Sequence, residues 1–473
     1  MNWRTTLKAF KNRDMQRRLL ILLLLIVSYR LLAHIPIPLA EPTQLKQLIS
    51  SVFQNQQLLG FLNLLSGGAL ASLSIMLVGL TPYINASIIM QLLTKAIPQM
   101  EELNKEGEAG RRKIQQWTRL ITFPLAILQS IGFIFILRQT TVSANLGIDI
   151  TAHTSMLQWI LMIGTMTAGA MMLMWIGELI TEQGLGNGIS LLVFAGVVSQ
   201  LPSTLNLLTQ ALTANHNHLK VFHWFTLPVD AKALGITAGL GLLALISTYL
   251  VVKLNEAQRI ITVNYAKRVQ GNKTYGGVQG ILPIKLITAG VIPVIFAVAF
   301  LALPSFIGQL LTSMHGQPHW VEIGQKMVTW FQTPTAQTFA SAQPSAFIYP
   351  ALYFFLVVAF TYFYTNIAFN AKEAAENLQK QGGFISEIRP GKQTEKYLTR
   401  TINRLMLFGS LSLGLIAVLP FVTEFVMAYF FSIDTGRQLA IGGTGLLIVV
   451  SVTLETIRLI NSRALMVMYD EQY

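Results

Sequence analysis

Cysteine is absent from this chain of 473 residues, which rules out a disulfide framework and a thiolate metal site. Charge is scarce as well. Asp, Glu, Lys and Arg make up 12% of the residues against 52% hydrophobic, and the charges fall in clusters between long apolar runs. That distribution excludes an ordinary soluble domain and marks a polytopic membrane protein. The tools of an ATP-driven pump or a metallohydrolase are missing too. Gly391-Lys392 lacks the upstream glycine of a GxxxxGK[ST] phosphate loop, and no HExxH occurs. The histidines, 7 in all, lie mostly in polar loops, as at His216 and His218, where solvation is a more ordinary role than metal ligation. Neither a metal nor a cofactor is expected, and energy for directional work must come from outside the chain.

What the chain does have is apolar stretches near spanning length, which need about 20 residues each. Ten are read: Leu19 to Ile37, Leu73 to Thr94, Trp117 to Leu137, Met156 to Ile176, Ile189 to Leu201, Leu234 to Val252, Leu286 to Leu303, Phe347 to Phe369, Leu405 to Pro420 and Leu439 to Ile457. An even number places both termini on one side. The amino-terminal arm carries Arg4, Lys8, Lys11, Arg13, Arg17 and Arg18, and the second, sixth and eighth loops are equally basic. The positive-inside rule makes that side cytoplasmic, so the formal charge of +13 is first a topology signal. Trp3, Leu7 and Phe10 at helical spacing suit a surface-lying arm. Ile35-Pro36-Ile37-Pro38 ends the first span without a small-residue cleavage site, so that span reads as retained.

Between Phe61 and Thr94 a membrane segment starts, breaks at Ser66, Gly67 and Gly68, and starts again. Non-helical backbone at membrane depth is tolerated only where protein or a water-filled cavity surrounds it, so the break argues for a pathway. Interrupted helices also occur in secondary transporters, a reading that stays open at this point. Against it, ionisable residues at depth are few. Arg30 lies in the first span, and Glu424 and Glu455 sit near span ends, which suits passage of a polymer better than a carrier for a small ion.

Longer motifs carry a family resemblance. The first span ends in Tyr29-Arg30-Leu31 and IPIP. The second region reads LSGGAL…SIMLVGLTPYINASIIMQLL, and the next loop KEGEAGRRKIQQWTR. GELITEQGLGNGISLLVFAG covers Gly177 to Gly196, VNYAKR Val263 to Arg268, and LPIK…TAGVIPVIFA Leu282 to Ala297. AENLQKQGGFISEIRPGKQT covers Ala375 to Thr394, and GGTGLLIVV Gly442 to Val450. In register from about Arg4 to Arg463, the chain resembles the SecY family of bacterial protein-conducting channels.

The resemblance implies an all-α fold of ten transmembrane helices in two inverted halves around a central hourglass pore, with a re-entrant plug half-helix. It divides the chain into a basic arm (1–18), an amino-terminal half (19–205), an external hinge loop (206–232), a carboxy-terminal half (233–460) with cytoplasmic loops at about 253–285 and 370–404, and a tail (461–473). The plug maps to roughly Phe61 to Ala71, with Leu65, Ser66, Gly67, Gly68, Ala69 and Leu70 at its centre. Leu80, Ile84, Ile189, Val193, Ile295 and Ile448 map to an apolar pore ring, and Leu80 with Ile84 and Ile189 with Val193 are spaced i to i+4. Taken alone, each is ordinary helix packing; only the motif register lifts the set above that.

A lateral gate opening to lipid is implied between the second and third helices on one side and the seventh and eighth on the other. Its cytoplasmic side maps to Gln91, Thr118, Ile287 and Thr288. Many relatives carry Asn where this chain has Ile287, which predicts a changed threshold for weakly hydrophobic signals.

Arg259, Lys267 and Arg268 in the sixth loop, with Arg389 and Lys392 in the eighth, map to docking positions for the SecA motor or the ribosome. The GG and RPG turns of the eighth loop predict a projecting hairpin there. Ile260 and Ser386-Glu387 depart from the family at these loops. SecE and SecG subunits, secretory preproteins, nascent membrane proteins and the lipid bilayer complete the implied partners. The expected function is translocation of unfolded polypeptides across the cytoplasmic membrane, with lateral release of hydrophobic segments and no bond chemistry. An accessory relative of restricted substrate range is the second alternative, although Leu254 to Gly280 keeps general-family length. The outer loop from Ser305 to Ser345 is expected to be a solvated connector.

Overall fold

A run of Leu and Ile from Leu19 to Val27, led by Asn12 whose side chain accepts the Asp14 N–H, makes the first helix, α1 (Arg13–Leu32). Such a polar cap satisfies a backbone donor that the helix itself leaves free. A computed structural model of the chain describes residues 12–37, 73–143, 155–213, 219–221, 225–227, 231–265, 268–270, 273–275, 279–288, 290–312, 318–334, 338–339, 344–431 and 438–470. The amphipathic arm before Lys11, the plug and Lys267 lie outside them.

The helices that follow are α2 (Thr81–Ala96), α3 (Pro98–Lys105), α4 (Glu108–Ser143), α5 (Met156–Glu182), α6 (Gly188–Thr213), α7 (Ala231–Glu256), α8 (Ile292–Thr312), α9 (Pro318–Phe331), α10 (Ile348–Ala368), α11 (Ala371–Lys380), α12 (Lys392–Phe431) and α13 (Gln438–Asp470). All ten expected spans have a helix. Seven helices among the described residues are long and apolar enough to cross a membrane.

Several boundaries move, each for a visible reason. The first span stops at Leu32, not Ile37, because Ile35 to Ile37 extends and pairs with the second region. Ile37 N–H donates to the Leu73 carbonyl and Ile75 N–H to the Ile35 carbonyl, both at 2.9 Å, and Pro36 bridges Ser74. The second span does not begin at Leu73. Residues 75–80 are turns, Gly79 has φ +65°, and α2 starts at Thr81 with Pro82 in its first turn. Its 16 residues give about 24 Å, short of a hydrocarbon core of about 30 Å. The helix of the seventh span, α8, starts at Ile292 rather than Leu286, after Gly290 at φ +62°.

Inside the bundle, α2 packs on α4, α4 on α5 and α5 on α6; α8 packs on α10, α10 on α12, and α13 on α6, α7 and α12. The amino-terminal set (α1–α6) and the later helices touch along two seams, α2 and α4 against α8, and α6 against α7 and α13. Between them lies a chain segment with a short antiparallel pair, β1 (Leu219–Val221) and β2 (Phe225–Leu227). The segment set down as a hinge loop is therefore partly regular, and α6 runs into it as far as Thr213.

Two further expectations are corrected. The eighth loop holds no hairpin. Its chain folds as α11, a turn at Gly382 with φ +69°, and the short strand β7 (Gly383–Ile385). The hairpin belongs to the sixth loop, where β3 (Gln258–Tyr265) pairs antiparallel with β6 (Gln279–Lys285), flanking the smaller pair β4 (Arg268–Gln270) and β5 (Lys273–Tyr275). β7 adds to the other edge of β3, so the order is β6-β3-β7. The outer segment from Ser305 to Ser345 is not a plain solvated connector either, since α8 continues to Thr312 and α9 packs back on it.

Candidate pore, gate seam and docking face

Motif by motif, the backbone explains where the mapped ring residues end up. The turn between α5 and α6 is held by Thr181, whose Oγ1 donates to the Gly177 carbonyl at 2.8 Å and accepts the Gly188 N–H at 2.9 Å. A Cβ on Gly188 would collide with the Gly177 carbonyl, so the chain needs glycine there. Asn187 Oδ1 then accepts the Ile189 N–H at 3.0 Å and starts α6, which aims Ile189 and Val193 inward. Leu80 precedes α2 and its carbonyl accepts the Ile84 N–H at 3.0 Å. Ile295 lies in the first turn of α8 and Ile448 within α13.

All six fall in or against one core. Leu80, Ile84, Val193, Ile295 and Ile448 belong to one buried apolar cluster, at 0 to 3% exposure, and partly buried Ile189 packs against it. Two helices from each side of the bundle supply them. The plug residues Leu65, Ser66, Gly67, Gly68, Ala69 and Leu70 fall outside the described residues.

The seam between α4 and α8 is closed by aromatic packing. Phe306 of α8 lies against Phe133 with ring centroids 5.9 Å apart, and its ring occupies the space a side chain on Gly132 would need. Of the mapped gate residues, Gln91 on α2 donates to Ser87 Oγ at 2.9 Å. Thr118 on α4 is buried and donates to the Ile114 carbonyl at 2.9 Å. Ile287 and Thr288 are not on a helix but in the strap before α8. Ile287 is 4% exposed and joins the same apolar cluster as the ring. The buried Thr288 hydroxyl has no hydrogen-bond partner among the described residues. Both line a cavity of about 450 Å³ that also touches Asn255, Lys285, Glu455 and Arg458.

One polar feature escaped the reading of the sequence. Glu178 of α5, only 6% exposed in its side chain, receives Arg119 of α4 in a two-point pair, with Nη2 to Oε2 at 2.8 Å and Nε to Oε1 at 2.9 Å. Gln115 adds a bond to Oε1 at 3.2 Å. Glu178 stands just past the end set for the fourth span and Arg119 just inside the third, so neither looked like a buried charge. The motif starting GEL at Gly177 was the available signal.

On the side of the sheet, the sixth and eighth loops form one unit. Ile261, Val263 and Ile284 from the hairpin, Ile385 from β7, Ala375 from α11 and Leu398, Ile402 and Met406 from α12 share a separate core. Asn264 Nδ2 donates to Ser386 Oγ at 2.9 Å across the loops. Arg259 on β3, Arg389 in the turn and Lys392 at the start of α12 are exposed. Thr394 Oγ1 fixes the turn by donating to the Arg389 carbonyl at 3.0 Å. Arg268 opens β4.

This architecture, a bundle of membrane-spanning helices in two sets that share one buried apolar core, is that of a protein-conducting membrane channel. It is similar to a solved structure described as a protein conducting channel, at TM-score 0.62 and 20% identity, covering 93% of this chain and 90% of that one. It is also similar to Sec61 in the canine ribosome-channel complex from the endoplasmic reticulum, at TM-score 0.57 and 18% identity, covering 93% and 90%. The SecY family model matches residues 74–457. The chain is 39% identical to the protein translocase subunit SecY of Streptomyces galbus over 96% of each chain. It is also 39% identical to that of Corynebacterium glutamicum over 98% of each. The chain belongs to the SecY family and is a protein-conducting channel subunit of the cytoplasmic membrane.

Proposed function

We propose that this chain forms the conducting path for unfolded secretory polypeptides and releases hydrophobic segments sideways into the bilayer, with both termini in the cytoplasm. The observation that carries the reading is that the six mapped residues, from α2 and the turn before it, α6, α8 and α13, all belong to or pack against one buried apolar core. Apolar walls at a neck exclude water and ions when empty, and they offer no polar site to hold a passing chain. Leu65 to Leu70 then act as the plug that closes the path. At the seam, Gln91, Thr118, Ile287 and Thr288 flank the route into lipid. A Leu-rich segment gains a few tenths of a kcal/mol per residue there, whereas one Lys or Asp costs about 2.5–3.5 kcal/mol, so an opening seam sorts chains by composition.

The chain carries no bond chemistry in this reading. Force comes from a SecA-type ATPase or a translating ribosome docked where Arg259, Arg389 and Lys392 are exposed, with Lys267 and Arg268 of the sixth loop as further contacts, and small SecE- and SecG-type subunits hold the bundle. Basic tips of this kind also suit ribosomal RNA phosphates through a salt-dependent electrostatic term. The absence of native cysteine makes the test direct. Single cysteines at Ile84, Ile189 and Ile448, with lipid-facing controls, are challenged with a stalled secretory chain bearing one cysteine. Disulfides at the three ring positions and not at the controls are expected. If the controls crosslink equally, or the ring does not crosslink with partners bound, polypeptide does not pass through this neck.

A further inference from the structure

The helix that follows α8 divides into three sectors. At about 100° per residue, Gly324 and Val328 of α9 fall on one face with Val321 and Phe331, and this face meets α8. The approach is close. A Cβ on Gly324 would lie 2.7 Å from the Gly308 carbonyl oxygen and 2.9 Å from the Thr312 nitrogen, and one on Gly308 would lie 2.9 Å from the Gly324 carbonyl oxygen. Backbones can come so near only where both helices carry glycine. Opposite this face, Glu322, Gln325, Lys326 and Thr329 are exposed, and Lys326 Nζ pairs with Glu322 Oε1 at 2.7 Å. Between the two lies a third sector with Trp330, Ile323 and Trp320. The two indoles remain 46% and 45% exposed.

Depth identifies what covers that third sector. α8 is long and apolar enough to cross the bilayer, and its first turn carries Ile295, which the reading above sets at the neck of the pore, near mid-depth. Gly308 is about 20 Å further along the helix, and half of a hydrocarbon core is about 15 Å thick. The crossing with α9 therefore falls at the interface beyond the neck. Tryptophan, with an apolar ring and one N–H donor, is enriched at that level, and a helix with a charged face and a Trp-bearing face suits the plane of the headgroups.

We propose that α9 is an interfacial anchor. It lies in the headgroup layer with Trp320 and Trp330 turned into lipid and the Glu322–Lys326 pair toward water, and its glycine contact fixes the end of α8 at that depth. The inference rests on the placement of Ile295 at the neck but not on any particular cargo, and its depth readout is separate from the crosslinking test above.

Single spin labels at Trp320→Cys, Trp330→Cys and Lys326→Cys, on the full chain in vesicles of phosphatidylethanolamine and phosphatidylglycerol, read depth from collisions with oxygen and with a water-soluble nickel chelate. Labels at 320 and 330 should favour oxygen over nickel several-fold more than the label at 326. Equal nickel access at all three would make α9 a solvated connector, and labels at 320 and 330 shielded from both reagents would place protein on this face; either overturns the proposal. Brominated lipid supplies a readout that needs no cysteine. It should quench a smaller share of the fluorescence in W320F/W330F than in the parent, and an unchanged share would also overturn it.

Discussion

Glu178 is a carboxylate whose loss of a partner should be felt, because it is nearly enclosed while Arg119 is half exposed. Replacing Arg119 by Ala leaves a charge with one remaining hydrogen bond, from Gln115. Such an orphaned buried group costs about 2–3 kcal/mol. Denaturation of purified R119A should show a loss of that order, and a double variant R119M/E178L should recover most of it, since no buried charge remains and the exposed Gln115 can turn to water. Asn187 acts on a smaller scale. Its Oδ1 caps α6 by accepting the Ile189 N–H, and a cap removed by Asn187→Ala costs about 1 kcal/mol. Its mark should be faster proteolysis at the α5–α6 turn, with export largely retained because the apolar ring side chains are unchanged.

At the scale of elements, the strap before α8 matters more than its length suggests. Ile287 is packed into the same cluster as the ring, yet it borders a cavity that holds Lys285, Glu455 and Arg458. Ile287→Asn exchanges dry contact for a hydrated amide at the foot of α8. Closed packing should weaken, and the hydrophobicity a signal needs should fall. Export of a graded signal series decides this, and identical thresholds in parent and variant would sink the idea. The elements were legible to different degrees. Helices α5, α7 and α10 followed from unbroken apolar runs. The late start of α2 and α8 did not, because turns at Gly79 and Gly290 interrupt stretches that remain apolar throughout. The sheet was hidden for another reason: its strands pair across loops far apart in sequence, Val263 with Ile385. Composition reports burial, and it is silent about which distant edges meet.

For the whole molecule, the two sets of helices are joined along seams, and the α4–α8 seam is filled by one ring seated over one glycine. Gly132→Leu places a side chain where Phe306 lies. The sets should then part on that side, and the overpacking should cost about 1–3 kcal/mol. In planar bilayers the variant should pass more ion current than the parent, and an equal resting current would show that the seam closes without this contact. The ring was readable from motif register, whereas Phe133, Phe306 and Gly132 carried no mark beyond being apolar or small. Contact between helices that are distant in the chain is visible only once the helices are placed.

The hydrogen bonds joining Ile35 and Ile37 to Leu73 and Ile75 have a consequence for chain length. The two ends of the stretch from 38 to 72 are tied to each other, like a purse drawn shut at the neck. The helices on either side are positioned by that knot. A change of length within the stretch should leave the knot, and with it the placement of α1 relative to α2, as it is.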